Sequence, residues 1–200
     1  MKFDECLKEY ASLHKVVHDF ELLSYKNHIF FDAKTDIVRG HRIREQNGSF
    51  ILQEDLAHTE NWRAMPNNRH QFRIRKKTKD ELIQRFPDSL LYSENYKTFE
   101  DIHSSVRTEL GPLSDLLTYD IALRIGAING ILPENKVYLH AGALFGAEVI
   151  KREIYPLLPI KRACVDISEI KDVVKEFKDF SAYDMEHFLC VFHKKLGGSV

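Results

Sequence analysis

Within the stretch GPLSDLLTYDIALRIGAINGILP, Gly111 to Pro133, an acid and a base stand one helical turn apart on an otherwise apolar run: Asp120 and Arg124. Acid before base at this spacing favours a helical ion pair, worth about 0.2–0.5 kcal/mol when exposed. On an apolar helix the pair is expected to be partly buried. There, desolvated charges must be paired, bonded to backbone or placed in a site. A strut between this helix and a neighbouring loop is the commoner outcome, and a site is the other.

His140, in VYLHAGALFG, lies beside small residues, where an imidazole can line a cleft and exchange protons near neutral pH. If they met, Asp120 and His140 would be the acid and base of a catalytic pocket, with Arg124 and His70 holding an anion. A histidine packed in the core and bonded to a carbonyl is the alternative. His14 and His18 have HxxxH spacing but no evident third ligand, so they point to packing or surface, and no metal site is expected. Cys6, Cys164 and Cys190 form no CxxC pair and are odd in number, which suggests reduced thiols and a cytoplasmic chain. Serine nucleophile elbows, P-loops and dinucleotide fingerprints are absent, and no cofactor is expected. Whether the chain is an enzyme stays open at this level.

A second chemistry is suggested by NWRAMPNNRHQFRIRKKTK, residues 61–79. Arg63, Arg69, Arg73, Arg75, Lys76, Lys77 and Lys79 occur there without an acid, with His70 between them and Trp62 and Phe72 interleaved. Such cations neutralise phosphates, and such aromatics stack on bases. The net charge of -1 means that attraction to nucleic acid would have to come from this local patch; a solvated stretch balanced by acids elsewhere is the alternative.

The elements that must position these groups are mainly helical. Phe3, Leu7, Tyr10, Val17, Phe20 and Leu23 recur at helical spacing, predicting a helix over 3–23. Asn47-Gly48 between β-favouring residues predicts a β-hairpin near 36–53, an appendage over about 30–55. Thr78 with Glu81, Thr98 with Asp101, Asp166 with Glu169 and Ser181 with Asp184 each set a capping residue three before an acid, marking four helix starts. Gly111-Pro112 ends one helix, and Pro112 suits the first turn of the next, over 112–129. That helix is apolar on most sides and is expected at the centre of an orthogonal helical bundle. Leu116, Leu117, Leu123, Ile128, Phe177, Phe188 and Leu189 are the predicted core. With 44% hydrophobic and 30% charged residues in 200, the composition is globular and suits a single domain over 1–200. No run of about eighteen apolar residues suggests a membrane span.

The segment Tyr119-Asp120, Arg124-Ile125-Gly126 and Tyr138-Leu139-His140-Ala141-Gly142 resembles a family of uncharacterised bacterial proteins, and RHQFRI at 69–74 and DMEHFLCVFHK extend the likeness over residues 65–195. That resemblance implies no activity. Glu109-Leu110-Gly111-Pro112 followed by Asp120 is similar to the helix-hairpin-helix turn and pocket acid of DNA glycosylases. Here the hairpin has one glycine, the acid follows closely, and no matching lyase lysine is present. The similarity implies contact with a nucleic-acid backbone. The leading expectation is thus a nucleic-acid-associated binding module using Arg63, Arg69, His70, Arg73, Arg75, Lys76, Lys77 and Arg124. The alternatives are a small-molecule or nucleotide-processing enzyme built on Asp120, Arg124 and His140, and a protein-interaction domain with an exposed apolar patch.

Overall fold

A computed structural model describes residues 2–30, 32–46, 49–53, 76–161 and 163–196. Its architecture is mainly α with a small β content, the class expected from the periodicity. Contacts along the chain define two compact units, Met1–Leu13 with Leu132–Val200, and His14–Ile131.

The first unit contains α1 (Lys2–Glu9), and the second begins α2 (Lys15–Lys26); Tyr10–His14 between them is π-helical. The predicted first helix therefore exists but carries a one-turn widening, of a kind that sequence spacing does not signal.

In the second unit, α3 spans Ala33–Arg39 and is capped by Asp32, whose carboxylate accepts from the Lys34 amide at 3.2 Å. The hairpin follows as β1 (Arg42–Gln46) and β2 (Ser49–Gln53), antiparallel, with Gln46 opposite Ser49. This register matches a two-residue connection, and Asn47 and Gly48 themselves lie outside the described residues. The hairpin is shorter than its predicted range, because the Asp32 cap makes residues 33–39 helical. Next come α4 (Lys76–Arg85), α5 (Phe99–Leu110) and α6 (Asp115–Asn129).

Thr98 and Asp101 form the predicted reciprocal capping box at the start of α5. Thr78, by contrast, is inside α4, which already begins at Lys76, so its spacing to Glu81 is not a cap. Gly111 ends α5 at φ +73°, as the Gly-Pro break predicts. The start of α6 is three residues later than expected. Ser114 is extended at ψ 149° and its hydroxyl accepts from the Leu117 amide, so the serine cap displaces Pro112 from the helix. Eleven of the fifteen residues of α6 are buried, making it the central helix of this unit. Leu117, Leu123 and Ile128 are in the core, and Leu116 is half-buried.

In the first unit, β3 (Lys136–Leu139) and β4 (Ala163–Asp166) pair antiparallel, with Tyr138 opposite Cys164. This pair adds to the expected hairpin; its four-residue strands lie far apart in sequence and share no turn signal. Helix α7 (Ala141–Glu153) follows β3, α8 (Ile167–Val173) follows β4, and α9 (Ala182–Leu196) ends the described chain. Asp166 holds the N-cap position of α8 without a side-chain cap bond. Ser181 and Asp184 cap α9 reciprocally. Phe188 is the hub of the core, with ring centroids 5.8 Å from Phe3, 5.6 Å from Tyr10, 5.3 Å from Phe177 and 5.2 Å from Phe192.

Helices α7 and α9 touch backbone to backbone. A Cβ added at Gly146 would lie 2.2 Å from the Leu189 carbonyl oxygen, an atom held within α9. Gly146→Ala should therefore destabilise the protein by about 1–3 kcal/mol through overpacking. Leu123→Ala should cost about 2–5 kcal/mol through the cavity it leaves in the second unit. Urea unfolding of each variant measures both, and a loss under about 0.5 kcal/mol for Leu123→Ala would remove α6 from the core.

Candidate functional site: two buried polar clusters

Helix α2 places Glu21, Ser24 and Tyr25 on one face, at spacings of three and four residues. All three are buried. Against them α6 contributes Arg124, and the segment through α3 contributes Asp36 and His41. The Arg124 guanidinium donates through Nε to Glu21 Oε1 at 3.4 Å and through Nη1 to the Ile37 carbonyl at 2.9 Å. Its close ionic partner is thus Glu21, 103 residues away, while Asp120, half-buried on the same helix, adds a longer-range charge. Burial lowers the pKa of Arg124, but Tyr25, Glu21 and Asp120 outweigh it and the net shift is upward. Burial also holds the Tyr25 hydroxyl well above its ordinary range. At neutral pH that phenol is therefore uncharged.

Tyr25 donates to the Asp36 carbonyl at 2.8 Å, and its ring stacks on the His41 imidazole at 4.0 Å and 2°. Ser24 spends its one hydroxyl proton on the Glu21 carbonyl at 2.6 Å, so its oxygen accepts from His41 Nδ1, also at 2.6 Å. The other imidazole nitrogen lies 3.5 Å from Asp36 Oδ2. A Ser, a His and an Asp are in sequence here, yet the hydroxyl is turned into a helix carbonyl and buried. The arrangement ties α2 to the α3 segment and does not present a nucleophile.

The second cluster belongs to the first unit. His140 follows β3 directly and occupies the N-cap position of α7 in extended backbone, at ψ 178°. Its Nε2 is 2.6 Å from Glu186 Oε1, an ion-pair distance. Cys190, one turn beyond Glu186 on α9, completes a group whose potential ligand atoms all lie within 4.8 Å of one another. The three residues are between 2% and 5% exposed. The first turn of α9 is fixed by the Ser181–Asp184 box and by the Tyr10 hydroxyl, which donates to Asp184 Oδ1 at 3.1 Å. Gly142 is flush with Cys190: a Cβ there would stand 2.6 Å from Sγ.

The catalytic and anion-holding candidates are thus distributed over both units. Asp120 and Arg124 are in the second and His140 is in the first. Arg63, Arg69, His70, Arg73 and Arg75 lie outside the described residues. Lys76 opens α4, and Lys77 is 88% exposed, with Glu81 3.9 Å away. His14 and His18 are both buried, in keeping with packing. Among the described residues, an open polar cleft bordered by Ser93, Asn95, Tyr96, Asp101 and Glu109 contains none of the site candidates. Sequence reasoning missed Glu21, Glu186 and Cys190 as site residues. The available signal for the last two was an acid and a thiol one turn apart on an apolar helix.

The Glu21–Arg124 pair carries a specific energetic expectation. Removing either partner strands the other in the interior, so Arg124→Ala or Glu21→Ala should each cost about 3–5 kcal/mol. The double change should cost clearly less than the sum, a coupling measurable by a double-mutant cycle in urea. Additive losses would mean that the two charges do not stabilise each other. Comparison of the chain with models of known protein families, with curated proteins and with solved structures gives no match.

Proposed function

We propose that the protein is a nucleic-acid-associated binding module that grips the backbone through the basic segment 61–79. The observation that carries the reading is the contrast between two sets of cations. Arg124, the cation that a small-anion pocket would need, is buried and committed to Glu21 and the Ile37 carbonyl. The run from Arg63 to Lys79 has no acid within it, and Lys77 is almost fully exposed. Cations that remain hydrated at little cost are the ones that can exchange counterions for phosphates. Trp62 and Phe72 add stacking surface for unpaired bases. The sequence Glu109-Leu110-Gly111-Pro112, at the end of α5 and in the turn after it, supports the same reading through its resemblance to a helix-hairpin-helix turn.

The enzyme reading asks more of the molecule. Arg124 would have to leave Glu21 to hold a substrate anion, exposing one buried carboxylate to an uncompensated interior. His140 is likewise committed to a carboxylate at 2.6 Å.

Backbone contact of this kind reads charge and not sequence. Affinity for duplex DNA should fall with salt at a log-log slope near -0.9 for each phosphate neutralised. Replacing Arg73, Arg75 and Lys76 with Gln should weaken binding to all sequences alike and flatten the slope by up to about three contacts' worth. Fluorescence anisotropy of labelled duplex and single strands measures this. Absence of binding at tens of micromolar in about 50 mM salt, where non-specific binders are already engaged, would end the proposal.

A further inference from the structure

The group formed by His140, Glu186 and Cys190 is chemically different from the other buried polar groups. An imidazole, a carboxylate and a thiol converge from two elements onto one point, each almost completely withdrawn from water. Paired charges or packed hydrophobes need no thiol there. This donor set, one nitrogen, one oxygen and one sulfur, matches a borderline cation such as Zn2+, and is too soft for Mg2+ or Ca2+, which take oxygen ligands. We propose that the first unit binds a single zinc-type divalent cation through His140 Nε2, a Glu186 carboxylate oxygen and Cys190 Sγ. The inference is independent of nucleic-acid binding.

The geometry needs only small adjustments. Tetrahedral zinc, with bonds of about 2.0–2.2 Å to nitrogen and oxygen and about 2.3 Å to sulfur, holds its donors about 3.3–3.6 Å apart. The imidazole and carboxylate stand closer than this, at 2.6 Å, and the largest separation in the group is under 4.8 Å. Each donor therefore has to move by roughly an ångström or less, within the reach of side-chain rotation. On binding, the Cys190 thiol proton, and any proton carried by His140 Nε2, would leave to solvent. Three protein donors leave one tetrahedral position for water.

The backbone prepares the site. Glu186 and Cys190 are one turn apart on α9, so both side chains point to the same side. His140 is delivered by the β3–α7 junction. Gly142 allows α7 to lie directly against Cys190, leaving room for its Sγ. A methyl group at residue 142 should push the sulfur aside, so Gly142→Ala is a test of positioning by a residue that offers no ligand.

The experiment uses the full chain, stripped of metal with a chelator and titrated with Co2+ as a spectroscopic stand-in for zinc. One equivalent should bind, with a near-ultraviolet thiolate-to-cobalt charge-transfer band and visible bands of tetrahedral intensity, and Zn2+ should displace it. Cys190→Ser should abolish the charge-transfer band, while Cys6→Ala with Cys164→Ala should leave it intact. Glu186→Gln, His140→Gln and Gly142→Ala should each weaken binding by about tenfold or more, the scale on which ligand-orienting changes act. A natively folded wild-type protein, judged by circular dichroism, that develops no thiolate band would overturn the proposal and leave a histidine–glutamate contact beside a packed thiol. Persistence of the band in Cys190→Ser would overturn it equally. Should Cys190→Ser fail to fold, the double variant retaining only Cys190 decides the sulfur's identity: band present supports the site, band absent rejects it.

Discussion

A charge that has left water must find its counter-charge inside the fold, and the second of the two units is organised by that constraint. In the second, the guanidinium of Arg124 is held by Glu21 and by a carbonyl of α3. That pair fixes the azimuth of α6 against α2, because a rotation of either helix by one residue, about 100°, would separate the charges. The apolar residues around α6 do not impose this. Eleven buried positions on fifteen leave no strongly preferred face, so packing alone would accept several rotations. A buried ion pair contributes little net stability relative to well-packed hydrophobes, but it sharply penalises the wrong register. The cluster is better understood as a device for specifying one arrangement than as an unfinished active site.

In the first unit a comparable role falls to the close contact between α7 and α9. Gly146 sets the distance between the two helices, and Gly142 sets it again one turn earlier, next to Cys190. With the helices this close, only short side chains fit at the seam, and the residues flanking it are brought within bonding reach. His140, at the mouth of α7, and Glu186, on the first turns of α9, meet as a consequence of that distance. The Ser181–Asp184 cap and the Tyr10 hydroxyl then determine where α9 begins, and so at what height Glu186 stands relative to His140.

These origins explain what was legible in the sequence. Interactions within one turn could be read: the Thr98–Asp101 and Ser181–Asp184 boxes, the break at Gly111, the Asn47-Gly48 hairpin signal and the apolar run of α6. Each depends on residues no more than about four apart, where helix and turn geometry dictate who meets whom. The start of α6 was misplaced because two local signals competed, and the hydrogen bond of Ser114 outweighs the conformational preference of Pro112. Arg124 was recognised as a buried cation that required a partner, yet the nearest acid in sequence, Asp120, is secondary to Glu21. Nothing local to Arg124 points 103 residues upstream. His140 stands out in the sequence for its small neighbours, but its contact with Glu186, 46 residues downstream on α9, has no local signal.

The same constraint sorts the cations by what they can do. A cation that is already paired in the interior has its hydration replaced by fixed carboxylates and carbonyls, and an external phosphate would have to compete with them. An exposed lysine such as Lys77 gives up only weakly held counterions on meeting a polyanion, and that release favours binding. Its neighbour Glu81, at 3.9 Å and itself 60% exposed, offers little competition, since exposed pairs of this kind are worth only about 0.2–0.5 kcal/mol on a helix. In the proposed binding reading, affinity for a nucleic-acid backbone depends on exposed cations such as Lys77 in the basic run of residues 61–79, whereas the guanidinium of Arg124 is taken up by Glu21 and the Ile37 carbonyl.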